Sequence, residues 1–437
     1  MIEYHRLDQG DLTALAAGLG GASAVRALRA GQLSRHLLLL KFVSEQWPAD
    51  RQDLDAAVVT LAEAQQRAPE MYAELLSDPL VGAWLTRTTR HLCHPESAAA
   101  ELPADLGHLG GLAASAAVRL GLDADLAGHA RQGRLTLPGL GEAVLRDGAD
   151  GAVRLSVTGG RVTVLAGTGT TTVPSAGPSW QELRLLTARH GGLPCAVHVE
   201  DGNPYRDGYH APPSGRLSAE EAGRWQDLFA AAWDMTCRHL PDRAAELVAG
   251  LRAVVPLVDD GSGAARSGTA RDSIGALGLT RPRSGEDFAI TIVHEFQHSK
   301  MSAVLDLVEL YHPGGAERHF APWRTDARPT AGLIQGVYAF LGVADAWSRL
   351  RAEPALEQLA TLQLAVVREQ VRAGLAALEG SAELTAEGRH FTAGMRVATD
   401  RVLAERLPEQ ACREAAAALA DRRQVWQRRH PGLTTAR

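Results

Sequence analysis

A segment without proline or glycine, residues 287–310, has mostly apolar residues at helical spacing and predicts one long α-helix. The stretch HEFQH, residues 294–298, lies within it. Residues four apart on a helix project from nearly the same face, so His294 and His298 would lie one turn apart. Two imidazoles in this arrangement can bind one divalent metal ion, with Glu295 facing the open side of that ion. The stretch therefore predicts a metal site on a helix.

Charge and cysteine usage restrict the partners and the compartment. The chain carries 45 basic and 51 acidic residues, a formal charge of −6, and no long basic tract, which argues against nucleic acid or an anionic membrane as main partner. Its four cysteines, Cys93, Cys195, Cys237 and Cys412, form no C-x-x-C pair, which fits a reducing cytoplasm. Residues 1–15 lack a signal-peptide core, and no run of about 18 apolar residues predicts a membrane span.

The composition and periodicity of the sequence change twice along the chain. Residues 1–130 are rich in alanine and leucine at helical spacing, residues 131–215 contain short β-prone segments, and residues 216–437 return to helical patterns. We therefore predict an α+β fold that is mainly helical, with a small, mostly antiparallel sheet region and a zincin-like HExxH helix in the C-terminal half. The three regions would be an N-terminal helical region, a β-rich region and a helical, metal-binding catalytic region.

Several elements are predicted in more detail. Strands are expected at residues 134–137, 152–158, 161–165, 182–186 and 195–200. The glycine- and threonine-rich residues 167–177 predict a loop. Residues 253–258 predict a strand that Pro256 would confine to a sheet edge, because proline lacks the N–H for a ladder. Ser218 and Glu221 have the spacing of a capping box at a helix start.

Two histidines are too few ligands for a stable metal site, so a third protein ligand is expected from the following loop or helix. A helix predicted over residues 330–350 presents Gln335, whose amide oxygen is a weak neutral ligand, and we prefer this residue. The loop before it presents Asp326, a carboxylate that would complete a two-histidine-one-carboxylate site. The E-x-x-x-D and H-x-x-G-x-x-H extensions of standard zinc peptidases are missing, which argues against an ordinary protease.

The same loop contains two arginines, Arg324 and Arg328, on either side of Asp326. A guanidinium binds a carboxylate in a bidentate fork, so arginines near a metal suit a carboxylate-bearing cosubstrate. The alternative is that they pair with Asp326 and other acidic side chains, as surface ions commonly do.

A weaker metal candidate is the H-x-E pattern of His198 and Glu200 on a predicted strand. This is the ligand pattern of jelly-roll iron oxygenases. One strand does not make such a barrel, however, and alternate strand positions share a face for packing in any case. Packing is therefore the simpler interpretation.

Two stretches resemble a known family. HEFQHSKMSAVLDLVELY (residues 294–311) and PWRTDARPTAGLIQGVYAFLGV (residues 322–343) are similar to the HExxH-motif peptide-modification proteins of ribosomal-peptide gene clusters, some of which are fused or adjacent to radical-SAM maturases. Weaker similarity to this family extends over most of the chain, but the similarity is specific to the family only over residues 286–347. The weaker segments are LSRHLLLLKFV, DPLVGAW, DLGHLGGLAA and EDGNPYR.

Members of this group are understood as Fe(II)- and 2-oxoglutarate-dependent peptide β-hydroxylases. The resemblance implies that His294 and His298 hold Fe(II), which 2-oxoglutarate chelates through its keto acid end. Arg328 or Arg324 would bind the far carboxylate of 2-oxoglutarate, and Glu295 would orient groups or handle protons. The implied partners are a precursor peptide as substrate and a radical-SAM maturase of the same pathway.

Two other functions fit the same residues. A zinc metallopeptidase acting on a precursor peptide would use Glu295 as general base. A non-catalytic peptide-binding partner would use the metal only to brace the fold. A histidine pair accepts zinc or iron according to availability, so the pattern by itself does not set the metal.

Overall fold

The N-terminal part of the chain is helical, as its spacing predicts. The computed structural model describes residues 5–97, 99–145, 148–174 and 177–433. Asp50 and Asp78 accept hydrogen bonds from backbone N–H groups and so cap two of the N-terminal helices, α3 and α5 in the order given next. The helices are α1 (Gln9–Ala16), α2 (Gly21–Glu45), α3 (Arg51–Arg67), α4 (Pro69–Leu76), α5 (Pro79–Cys93) and α6 (Leu102–Leu120).

The strands of the described residues form three sheets, ordered β1-β4-β5-β6, β2-β3-β7 and β11-β12-β10-β9-β8. The strands are β1 (Ala124–Ala130), β2 (Arg134–Leu137), β3 (Gly141–Val144), β4 (Gly151–Thr158), β5 (Arg161–Ala166), β6 (Gly169–Val173), β7 (Trp180–Glu182), β8 (Arg184–His190), β9 (Leu193–Val199), β10 (Ala253–Pro256), β11 (Ser267–Gly268) and β12 (Ala276–Leu279).

Helix α6 packs closely against β1, and one glycine makes this approach possible. A Cβ atom at Gly110 would lie 1.7 Å from the carbonyl oxygen of Ala127. The first sheet and the N-terminal helices share one apolar core, in which Trp84, Leu112 and Leu155 are buried. The N-terminal helices and the antiparallel strands therefore form one packed unit.

The five-stranded sheet is mixed and takes strands from both sides of residue 215, the predicted regional boundary. Strand β10 runs parallel to β9 and β12, whereas β8 and β11 are antiparallel to their neighbours. The predicted edge position of β10 is wrong, because β10 lies between β12 and β9. Pairing with β9 ends at Val254, two residues before Pro256, so the missing N–H breaks no hydrogen bond to β9.

The loop predicted over residues 167–177 is also wrong in part, since it contains β6. Val173 pairs with Val162 of β5 and is fully buried, while Thr171 pairs with Val164. Burial of alternate side chains against the core outweighs the weak strand preference of the flanking glycines.

The C-terminal part is helical, and the fold class is the predicted one: α+β and mainly helical, with small antiparallel and mixed sheets. The predicted capping box of Ser218 and Glu221 begins α7. None of the helices in the described part of the chain has both the length and the apolar character needed to cross a bilayer. These helices are α7 (Ala219–His239), α8 (Pro241–Gly250), α9 (Gly285–Leu305), α10 (Thr330–Leu350), α11 (Glu357–Glu379), α12 (Ala386–Leu403) and α13 (Glu409–Arg429).

Helix α9 contains the HEFQH stretch and packs against α7 and α10. A buried ion pair ties it to α8, with Lys300 Nζ 2.7 Å from Glu246 Oε2. The other oxygen of Glu246 accepts hydrogen bonds from the backbone N–H groups of Gly20 and Gly21, at 2.6 and 3.1 Å. This network holds the motif helix against the start of α2.

A buried histidine in the N-terminal unit makes stability depend on pH. His108 of α6 packs against Trp84 and Tyr205, at ring-centroid distances of 5.1 and 4.7 Å. Burial, and secondly the charge of Arg131, lowers the pKa of His108 to about 3. The neutral imidazole is therefore the form that the folded protein favours.

We expect that the free energy of unfolding of the His108→Gln variant falls less steeply than that of the wild type as the pH is lowered. The folded pKa lies below the unfolded value of about 6.5, so the contribution of neutral His108 is complete above that pH and is lost as the pH falls toward 3. This one group gives a slope of up to about 1.4 kcal/mol per pH unit. Urea unfolding of both proteins between about pH 4 and 7 measures the difference. The exposed His312→Gln serves as control, and equal slopes in all three proteins would contradict the assignment.

Candidate metal and cosubstrate site

A cavity of about 740 Å³ lies between α9, α10, the loop that connects them and the edge strand β11. Asp326 is not among the residues that line it. The other predicted site residues all line this cavity: His294, Glu295, His298, Arg324, Arg328 and Gln335.

The two histidines lie side by side on α9. Their ring centroids are 4.8 Å apart and the rings are nearly perpendicular, at 82°. Burial, and secondly the neighbouring His298, lowers the pKa of His294 to about 3. His294 is therefore a neutral imidazole near pH 7, which is the form that binds metals.

Gln335 of α10 contacts His298 directly. Its Oε1 lies 3.2 Å from His298 Nδ1, and its Nε2 donates to Ser302 Oγ at 3.2 Å. An amide oxygen can only accept, so Nδ1 of His298 donates in this contact and Nε2 takes no part in it. In this structure Gln335 thus orients the ring; its role as third ligand stays a prediction.

Asp326 pairs with the two arginines of the loop, as the alternative interpretation anticipated. It accepts hydrogen bonds from Arg324 Nε at 3.0 Å and from Arg328 Nη1 at 3.2 Å. Burial raises the pKa of Asp326, but the hydrogen bonds and charges of the arginines outweigh it and hold the pKa below the ordinary value. Asp326 therefore neutralises part of the arginine charge outside the cavity.

No histidine, cysteine or carboxylate of the described ranges completes a compact three-ligand group with the histidine pair. The group of three such side chains found there, with all ligand atoms within 4.8 Å of one another, consists of Asp78, His198 and Glu200. A metal between His294 and His298 would therefore take its remaining ligands from an amide, from water or from a bound molecule.

Arg328 keeps one donor free. Its Nε is buried and has no hydrogen-bond partner, although Nη1 contacts Asp326. Its backbone is fixed by two hydrogen bonds with His319, and a Cβ at Gly332 would lie 3.3 Å from Nε. Glycine at this position leaves room for the guanidinium, whose unsatisfied N–H can take a carboxylate oxygen.

Glu295 is held by two hydroxyl groups that the sequence analysis did not single out. Ser267 Oγ and Thr269 Oγ1 each donate to one carboxylate oxygen at 2.7 Å. Oε1 lies 4.0 Å from His294 Nε2, and the side chain is buried. Because Ser267 and Thr269 belong to a glycine- and serine-rich stretch with loop-like composition, only their tertiary contact with Glu295 reveals this role.

Aromatic side chains border the two histidines of α9. Phe340 packs against His294 and Trp323, with centroid distances of 4.8 Å in both cases. A Cβ at Gly336 would lie 2.4 Å from Trp323 Cζ2, so glycine allows the indole to lie on α10. Both rings line the cavity, and no sequence pattern singled them out.

The cavity thus combines neutral imidazole nitrogens, a buried guanidinium donor, an oriented carboxylate and an apolar wall. Such a set can bind a divalent metal together with an anionic small molecule. No protein-family model matches the chain, and no curated protein matches it either.

Proposed function

We propose that the protein is an Fe(II)- and 2-oxoglutarate-dependent oxygenase that hydroxylates a β-carbon in a ribosomally synthesised precursor peptide. The observation that supports this function is the presence of the histidine pair and of the unpaired donor of Arg328 in one cavity. A keto diacid cosubstrate needs a cation for its far carboxylate, whereas zinc-dependent peptide hydrolysis does not. The same function is the one that the family resemblance implies.

The residues present fit an iron ion. His294 offers a neutral nitrogen, and the hydrogen bond with Gln335 leaves Nε2 of His298 free to coordinate. The metal and 2-oxoglutarate, when bound, supply the oxidising chemistry that introduces oxygen from air into a C–H bond. The protein contributes binding, orientation and exclusion of water.

Arg328 would bind the far carboxylate of 2-oxoglutarate. Its Nε is free while Nη1 contacts Asp326, so the guanidinium can bind a second carboxylate without giving up the first. Arg324 lines the cavity, is half exposed and also pairs with Asp326, so it would serve as a secondary contact. A volume of about 740 Å³ is within the range of small-molecule sites.

Glu295, Trp323 and Phe340 would position the reactants. The two hydroxyl donors hold the Glu295 carboxylate in one orientation beside His294, which suits a group that orients or moves a proton. The indole and phenyl rings would keep water from the metal-binding face and provide an apolar surface for the substrate side chain.

The test is anaerobic loading of the full chain with Fe(II), followed by 2-oxoglutarate. We expect a metal-to-ligand charge-transfer band and, on addition of labelled dioxygen and candidate precursor peptides encoded beside the gene, a peptide that gains one labelled oxygen atom. Cleavage of such a peptide that needs zinc and not 2-oxoglutarate would select the peptidase instead. Peptide binding without product, unchanged in Glu295→Gln and Arg328→Ala, would select the non-catalytic partner.

Arg328→Ala is expected to weaken 2-oxoglutarate binding by about 10- to 100-fold, since hydrogen bonds to charged groups contribute about 1.5–3 kcal/mol. Iron affinity should stay the same, because Arg328 contacts the far end of the cosubstrate. Titration of the charge-transfer band measures both constants. Arg318→Ala is the matched control, since Arg318 donates only to backbone carbonyls outside the cavity. An equal loss in iron affinity would contradict the assigned role.

A further inference from the structure

The H-x-E pattern on β9 gains a third polar side chain in the folded protein. His198 and Glu200 lie on the same face at the end of β9, and Val197 and Val199 are buried in the core on the opposite face. Asp78, which caps α5, comes from a distant part of the chain. The ligand atoms of these three side chains all lie within 4.8 Å of one another.

These three side chains leave polar atoms unsatisfied. Glu200 is 4% exposed, and no described residue forms a hydrogen bond or ion pair with its carboxylate. His198 Nδ1 is buried and has no hydrogen-bond partner. Asp78 uses Oδ1 to accept from Leu80 N–H at 2.8 Å, so its other oxygen is available. Buried polar groups without partners are rare in native proteins and point to a missing ligand.

The surrounding charges do not compensate Glu200. The acidic groups that act on it are Asp78, Asp201 and Glu142, opposed by Arg206. Arg206 donates to the backbone carbonyls of Asn203 and Ser214 and not to Glu200. Glu200 is buried and Asp78 is partly exposed, and a buried carboxylate beside a second carboxylate is unfavourable unless a cation pairs with it.

We infer that Asp78, His198 and Glu200 form a second metal site that binds one divalent transition-metal ion, Zn²⁺ or Mn²⁺, through one imidazole nitrogen and two carboxylates. The mixed nitrogen and oxygen donors suit these ions. The site is separate from the HExxH cavity, because none of its three residues lines that cavity. The bound ion joins the start of α5 to β9 and so braces the N-terminal helices against the five-stranded sheet.

The experiment starts from the full chain with His294→Ala and His298→Ala, which removes the HExxH histidines. After chelation, titration with Zn²⁺ and with Mn²⁺ is expected to show one equivalent bound for at least one of the two ions. Adding Glu200→Gln should weaken this binding by at least about 100-fold, since even outer-shell changes weaken metal sites by 10- to 100-fold. His190→Ala, which removes an imidazole on β8 that pairs with Asp234, should have no effect. Absence of the bound equivalent, or indifference to Glu200→Gln, would overturn the site.

Thermal unfolding of the same variants gives a second readout. Without metal, Glu200→Gln removes an uncompensated carboxylate and should melt at the same or a higher temperature than its parent. With excess metal, the parent should gain stability and the Glu200→Gln variant should not. If the metal-free variant melts lower and the parent gains nothing from metal, hydrogen bonding within the cluster explains the arrangement and the inference is wrong. Neither outcome depends on the proposed oxygenase activity.

Discussion

His298→Ala is expected to abolish Fe(II) binding in the cavity and, with it, hydroxylation of the precursor peptide. His298 supplies one of the two imidazoles that α9 presents to the cavity, and the remaining His294 cannot hold a labile divalent ion alone. We expect the iron affinity to fall by more than about 100-fold, beyond the 10- to 100-fold that outer-shell changes produce. Equilibrium dialysis with Fe(II) under nitrogen measures the affinity, and mass spectrometry of the peptide measures the product.

Two further variants make this result specific. His312→Ala removes an exposed imidazole in the loop after α9 and should leave both readouts unchanged. Gln335→Ala distinguishes the two possible roles of Gln335. If Gln335 only orients His298, the substitution should lower the iron affinity by about 10- to 100-fold. If Gln335 is the third ligand, the loss of iron affinity should equal that of His298→Ala. Wild-type affinity in His298→Ala, with the fold verified by circular dichroism, would refute the metal site.

Glu246→Ala is expected to destabilise the protein by about 3–5 kcal/mol, the range for removing one partner of a buried ion pair. Lys300 and Glu246 are 2% and 1% exposed, so the variant would leave the buried Lys300 amine without its ion-pair partner. The backbone N–H groups of Gly20 and Gly21 would lose their acceptor as well. Urea unfolding at neutral pH measures the change in the free energy of unfolding.

The double variant Glu246→Leu/Lys300→Met should recover much of this loss, because it leaves no buried charge. Glu409→Ala removes an exposed partner of Arg413 and should change stability by no more than about 0.5 kcal/mol. A loss below about 1 kcal/mol in Glu246→Ala would mean that water replaces the carboxylate and that the pair does not anchor α9.

Much of the helical structure and part of the candidate site follow from local patterns. The 330–350 prediction coincides with α10, Thr330–Leu350, because apolar periodicity and the preceding Pro329 define that helix within a few residues. The capping box of Ser218 and Glu221 is equally local. Spacing alone also places His294 and His298 on one face of α9, since four residues make about one helical turn.

The rest depends on contacts between segments that are distant in the chain, and no local pattern encodes these. Ser267 and Thr269 reach Glu295 only because β11 joins the sheet edge above α9. Asp78 approaches His198 and Glu200 only because the fold brings the residue before α5 close to the end of β9. Sequence by itself determined that one helix carries His294 and His298, although α9 ends at Leu305 and not at the predicted residue 310. Tertiary packing decided which groups surround that helix, since burial and long-range pairing outweigh local preference.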